Sequence, residues 1–256
     1  MADGTARADA PAESLSRRDY GAVVVVGGGC YGSYYVRQLR RAVAREALGV
    51  ERLIVVDRDE GCLAGRLAGE AGALPVDLHV AEWDAFFDDW LPRATSADAI
   101  VPSPLMPHLF LHWMARRALA RAPGRRVELL VPAEVPDVPW QKAGDRARYV
   151  SFAEWMCPVN CIEPATCPHT RGPRSWSLPV ALRRAPDRAR DAQPRDWDAA
   201  ALLHCTHRAY GVGMIDARDV LAADALVERA GEQAAARVLV GTVSHCHGAL
   251  GILALG

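Results

Sequence analysis

The sequence predicts an α/β fold, doubly wound around a mostly parallel sheet, with a Cys-rich loop segment inserted into it. Three observations point there. Short β-branched runs alternate with stretches of helical periodicity through the first half of the chain. The first such run ends in glycines. From Pro132 to about Arg195 the alternation gives way to Pro, Arg and Cys-rich sequence, and then it resumes.

Ala22–Val26 is an apolar run that reads as a buried parallel strand. The stretch 33–46 carries Val36, Leu39 and Val43 near helical spacing, and Leu53–Val56 is a second buried strand closed by Asp57. Strand, helix, strand in this order is a βαβ unit. The same reasoning predicts a helix over 60–70, a strand at Val76–Val80, a helix at Trp83–Leu91 and a strand at Ala97–Val101. His108–Arg121 follows as a helix, and Val127–Val131 as a fifth strand of the same sheet. After the irregular segment come a strand at Ala200–His204, a helix at Ala217–Arg229, a strand at Ala236–Val243, and a short apolar helix or strand at Gly248–Leu255. These last strands are expected to extend the sheet.

Composition narrows the function. Of 256 residues 50% are hydrophobic and 24% charged, and the net charge is −1. Neither a nucleic-acid partner nor a membrane surface is implied by that balance. No apolar run reaches the roughly 20 residues of a membrane span. The first 19 residues lack the apolar core of a signal peptide and read as a disordered tail, so the expected compartment is the cytoplasm. There the seven cysteines are expected as thiols or metal ligands rather than disulfides. Lys142 is the only lysine, so there is no G-x-x-x-x-G-K-[ST] phosphate loop and no Tyr-x-x-x-Lys pair.

The most specific motif is Gly27-Gly28-Gly29-Cys30-Tyr31-Gly32, which fits G-x-G-x-x-G between a strand and a helix. Gly27 makes the tight turn, Gly29 lets a pyrophosphate approach the backbone, and Gly32 lets helix and strand pack closely. The helix N-terminus offers free N–H groups to the phosphates. Asp57 lies at the end of the second strand, where a carboxylate accepts ribose hydroxyls. The candidate nucleotide set is therefore Gly27, Gly28, Gly29, Cys30, Tyr31, Gly32, Asp57 and Arg58. Asp57 leans toward NAD, while Arg58 beside it would favour the 2′-phosphate of NADP. This stretch resembles the NAD(P)-binding Rossmann superfamily and, more loosely, the TrkA-N nucleotide-binding domains, over residues 20–135. The resemblance implies a fold and a ligand class, with no reaction attached. The organisation that follows is a tail over 1–19, a dinucleotide-binding domain over 20–135, a Cys/Pro-rich metal-binding insertion over 136–196, and a βαβ extension over 197–256.

Cys157, Cys161 and Cys167 fall within eleven residues as C-x3-C-x5-C, among prolines that stiffen the loop. A fourth ligand is expected from Cys246, in the sequence Ser-His-Cys-His, with Cys205 and His247 as alternates. Cys205 and Cys246 follow strands, so both are expected at the sheet edge that carries the glycine turn. Four cysteines suit an iron–sulfur cluster; zinc stays open because His169, His204, His207, His245 and His247 are also at hand. Packed or redox-active thiols without metal are the competing readings. His108 and His112, four apart on a helix, are read as packing. Gly211-Val212-Gly213 resembles a second phosphate-approach turn, and Asp216 looks like an N-cap.

Three functions fit these residues. One is an NAD(P)-dependent oxidoreductase acting on a small molecule, with the cysteine site near the nicotinamide. Another is a nucleotide- or redox-sensing regulatory protein bound by a nucleotide effector. The third is a binding protein stapled by structural zinc. Oligomeric state is not specified by the sequence.

Overall fold

Val23–Val26, the longest run of β-branched residues, lies at the centre of a six-stranded sheet in the computed structural model, which describes residues 17–70, 74–133, 135, 137–188 and 196–256. The elements in chain order are β1 (Arg18–Val26), α1 (Cys30–Ala44), β2 (Leu48–Asp57), β3 (Val76–Val80), α2 (Trp83–Trp90), β4 (Ala99–Val101), α3 (Leu109–Arg121), β5 (Val127–Leu130), β6 (Trp140–Ala143) and β7 (Arg148–Ser151). They continue with α4 (Leu178–Arg188), β8 (Ala199–His204), β9 (Thr206–Ala209), β10 (Val212–Asp216), α5 (Ala217–Gly231), β11 (Ala236–Val243) and β12 (His247–Leu255). Most of the expected tail, residues 1–16, lies outside the described residues, as does part of the expected insertion; β1 already begins at Arg18.

The strands form two mixed sheets, which overturns the expectation of one doubly wound, mostly parallel sheet. The first has the order β3-β2-β1-β4-β10-β9. Its first four strands are parallel, but β10 runs antiparallel to β4 and β9 antiparallel to β10. The second has the order β6-β7-β12-β11-β8, with β5 also paired to β12. There only β8 and β11 are parallel.

Short connections explain the difference. Turns at Tyr210-Gly211 and Ser244–Cys246 are too short for the crossover a parallel pair needs. Tyr210 and Gly211 both have positive φ, 50° and 79°, and Val212 pairs with Ala209 across them, so β9–β10 is a tight hairpin of the type I′ kind. The expected fifth parallel strand, β5, instead pairs antiparallel with the chain's last residues, Leu129 opposite Leu253. The expected helix over 60–70 is also absent, apart from a single 3-10 turn at Gly65–Leu67. Its chain is tied to the glycine turn instead, through Ala64 N–H to Gly28 O at 2.8 Å.

Alternation along each strand sorts the core. Val23 and Val25 pack with Val36 and Leu39 of α1 on one face of the first sheet. Val24 and Val26 face the other way, into a cluster with Phe87, Phe110 and Trp113. That cluster also takes Val220 and Val227 of α5 with Leu203, Val240 and Leu253, so α3 and α5 fill the space between the two sheets. A third cluster, including Leu178, Leu182, Trp197 and Leu250, lies under α4 on the outer face of the second sheet. Between α3 and α5, buried Asp224 accepts hydrogen bonds from Arg117 at 3.0 Å and Arg121 at 2.6 and 2.9 Å. Among the described residues no helix is long and apolar enough to cross a membrane.

Candidate functional site

The glycine turn links the end of β1 to α1. Gly27 has φ 85°, and its N–H donates to Val56 O at 2.8 Å. A side chain on Gly32 would place Cβ 1.7 Å from Gly27 O, so only glycine lets α1 start this close to the strand. At Gly29, in contrast, an added Cβ would meet nothing within 4 Å. Gly29 is the N-cap of α1; no side chain caps the helix and no acidic residue sits in its first turn. No side chain of the helix itself therefore offsets the partial positive charge at that end. Cys30 and Tyr31 are exposed beside it.

Asp57 is at the end of β2, as expected, but it also braces the turn itself. Its Oδ2 accepts the Gly28 N–H at 2.5 Å and its Oδ1 the Asp59 N–H at 2.9 Å. Arg58 is exposed next to it. Cys62 is buried, yet in a loop rather than a helix, and its Sγ would lie 2.3 Å from a Cβ on Gly28.

The cysteine segment is joined to the Ser244–His247 turn by one carboxylate that the sequence reading missed. Glu163, 7% exposed and at φ 51°, accepts from Ser244 Oγ at 2.7 Å, His245 N–H at 2.9 Å and Cys246 N–H at 3.1 Å. Burial alone would raise its pKa, but nearby His207 and these donors outweigh burial and hold it below the ordinary carboxylate value. The available signal was its position between Cys161 and Pro164, a lone carboxylate in a loop of thiols and prolines.

Around Glu163 the other groups are placed as follows. Cys157 Sγ is 3.8 Å from His247 Nε2. His247 Nδ1 is 2.9 Å from Ser151 Oγ. Cys161 Sγ receives the Glu163 N–H at 3.3 Å, and Cys161 O meets His207 Nδ1 at 2.9 Å. Cys246 Sγ receives Trp176 Nε1–H at 3.3 Å. His245 Nδ1 meets Ser177 Oγ at 2.9 Å, and its ring stands edge-on to His204 at 4.9 Å. His169 is stacked on Trp155 at 4.7 Å.

The thiols divide into two kinds. Cys167 is held below its ordinary pKa, first by the Thr170 N–H, against the effect of burial. Cys157 is pushed up by burial and then by the charges of Cys161 and Cys167. Cys205 and Cys246 are pushed up to about 12, by burial first and then by the Glu163 carboxylate. All seven cysteines are free. Among the described residues no three His, Cys, Asp or Glu side chains are gathered as metal ligands. What is assembled is the pair Cys157–His247.

Several expectations change. Cys205 and Cys246 do share an edge, with Cys205 N–H donating to Val243 O at 2.8 Å, but it belongs to the second sheet and the glycine turn to the first. Helix α1 packs on the first sheet beside the β9–β10 hairpin. Tyr35, in its second turn, has its pKa pushed up to about 12 by burial and then by Cys205, and Arg41 lies 4.5 Å over the Tyr210 ring. The Gly211 turn approaches a backbone, not a phosphate: a Cβ there would lie 2.3 Å from Val159 O. Asp216 precedes α5 without capping it and pairs instead with Arg18 at 2.8 Å. His108 and His112 lie side by side, with His108 against Tyr149 OH at 3.3 Å.

Fold and site together define a mixed α/β protein with a glycine-turn half and a second half that carries the thiols and imidazoles. Residues 110–256 match the AF_1314_C family model, described as "Uncharacterized protein, C-terminal domain", and the chain belongs to that family. No curated protein and no solved structure matches the chain. The family match takes in the whole cysteine segment, the Ser244–His247 turn and the second sheet.

Proposed function

We propose that the chain is an NAD(P)-binding oxidoreductase of a small molecule, with a metal or iron–sulfur site built from its cysteine segment. The observation that carries this reading is the contrast at the glycine turn. Gly32 is sterically forced, whereas Gly29 opens onto free space at an uncapped helix N-terminus. A pyrophosphate fits that arrangement, with backbone N–H groups as donors. Asp57 holds the turn and stands where a ribose would lie; its carboxylate favours NAD over NADP. The bound dinucleotide supplies hydride transfer, and the chain orients it. Free thiols throughout accord with a cytoplasmic setting.

Soft thiolate donors with imidazole nearby suit zinc or an iron–sulfur cluster. The donors are close without being gathered, so binding would tighten the loop around the ion.

Fluorescence titration with NADH and NADPH tests the nucleotide half. Saturable binding that is lost in Gly29→Asp supports it; equal affinity in the variant overturns it. Binding without oxidation of NADH across a broad substrate panel would favour a sensor over an enzyme. Metal analysis of protein purified without air tests the other half.

A further inference from the structure

Hydroxyl proton accounting at Ser151 fixes the state of His247. Ser151 Oγ donates its single proton to Ala153 O at 2.7 Å, and it accepts the Ala153 N–H at 2.9 Å. His247 Nδ1, 2.9 Å away, must therefore be the donor to the remaining lone pair. A neutral imidazole protonated at Nδ1 carries its lone pair on Nε2. That atom faces Cys157 Sγ at 3.8 Å. Zinc–sulfur and zinc–nitrogen bonds at a tetrahedral angle put such a pair roughly 3.6 Å apart. A histidine whose second nitrogen donates to a fixed oxygen is the usual arrangement behind a metal ligand.

The other sulfurs sort themselves by what they already receive. Cys161 Sγ takes the N–H of Glu163, two residues on, and Cys167 is carried on the same loop. Backbone donors aimed at sulfur from the residues just after it stabilise a thiolate. Cys246 differs: it is buried, it receives an indole N–H from Trp176, and no such backbone donor reaches it among the described residues. Glu163 ties the cysteine segment to the turn that carries His247, so the two sources of donors form one unit. His247 is exposed, which leaves an ion a path in.

We propose that Cys157, Cys161, Cys167 and His247 are the ligands of one zinc-class divalent ion, with Ser151 as the positioning residue of His247 and Cys246 outside the ligand set. This rests on the metal reading proposed above and takes His247, one of the alternates to Cys246, as the fourth ligand. Cys157 and His247 stand at ligand spacing already; Cys161 and Cys167, on the same proline-stiffened loop, complete the site as the loop closes.

The test uses the full chain, stripped of metal under reducing conditions and titrated with cobalt and then zinc. One equivalent of cobalt should give tetrahedral ligand-field bands and sulfur-to-cobalt charge transfer. His247→Ala and Cys157→Ser should each weaken binding at least about tenfold, and Ser151→Ala about tenfold with the spectrum of an intact ligand set. Cys246→Ser should bind as the wild type does. Zinc X-ray absorption on the unaltered chain should show three sulfurs and one nitrogen, a readout that does not depend on any variant folding. Four sulfurs, or loss of binding in Cys246→Ser with retention in His247→Ala, overturns this ligand set while leaving a metal site. An iron–sulfur cluster held by four sulfurs overturns it equally. No stoichiometric metal in any form overturns both this assignment and the metal reading beneath it.

Discussion

Glu163 accepts the hydroxyl proton of Ser244 at 2.7 Å, across eighty-one residues of sequence. The same carboxylate takes two further N–H groups of the turn, so a single side chain satisfies three donors that a hairpin tip would otherwise leave to solvent. Its own burial is tolerable because each donor favours the charged form.

Glu163→Gln keeps the shape but offers an N–H₂ group to donors, so at least one buried partner goes unmet. A loss of about 2 kcal/mol is expected. Hydrogen exchange should quicken at Ser244–His247 and over Cys157–Cys167 together, while β1 and β2 stay protected. Faster exchange at only one of the two segments would mean that Glu163 does not join them.

Two glycines in one motif should respond in opposite ways. Gly32→Ala drives a methyl group into Gly27 O and should cost about 3 kcal/mol or more, read as a fall in the melting temperature. Gly29→Asp meets open space at φ −73°, and an aspartate N-cap suits α1, so stability should hold within about 0.5 kcal/mol or rise. Its carboxylate occupies the place of the phosphates, so NADH affinity should fall at least about tenfold. A stable Gly32→Ala protein would remove the steric argument for the turn.

The difference between these two positions was legible in the motif, because each glycine has a separate geometric reason. Strand positions were legible too: Val76–Val80 and Ala236–Val243 match the observed strands at both ends. Direction was not. Ala249–Leu255 is a continuous apolar run and Val127–Leu130 only four residues long, and neither has a period that distinguishes a parallel from an antiparallel partner. The Tyr210-Gly211 turn hid for another reason: Tyr at positive φ is unusual, and only a Gly in second place hinted at a hairpin. At the site, cysteine and histidine spacing marked the right segments. Glu163 and Ser151 act through long-range contacts, which spacing does not encode.

Asp224 sits where the two middle helices meet. With its carboxylate 6% exposed and the Arg117 and Arg121 side chains about a quarter exposed, the arginines can turn to water if it is removed, but the helix contact loses its anchor. Asp224→Ala should cost about 2 kcal/mol, below the figure for a fully buried pair. Burial pulls the carboxyl pKa up, but the hydrogen bonds of Arg121 and Arg117 more than offset it, so the folded value is depressed. Its contribution is therefore present above the ordinary Asp range and lost as pH falls through the folded value. Urea midpoints should show the wild type and variant converging in strong acid; a constant gap down to the lowest pH would contradict the pairing.

His204 sets a second pH dependence, nearer neutrality. Burial, reinforced by neighbouring His245 and by Arg183 and Arg208 against the opposing Glu163, lowers its pKa from 6.5 to about 4, and its Nε2 is buried without a hydrogen-bond partner. Between those values the unfolded chain binds a proton that the folded chain does not, so stability rises with pH through the window and is lost on acidification from 6.5 toward 4. The slope for one such group is at most about 1.4 kcal/mol per pH unit. His108 and His112 are also lowered, chiefly by burial, and add slope in the same direction. His204→Phe removes one titrating group and keeps a ring against His245. Unfolding by urea at pH 7, 6 and 5 should therefore give a shallower decline for the variant than for the wild type. Parallel declines would mean that His204 is already protonated in the folded chain, or free to become so.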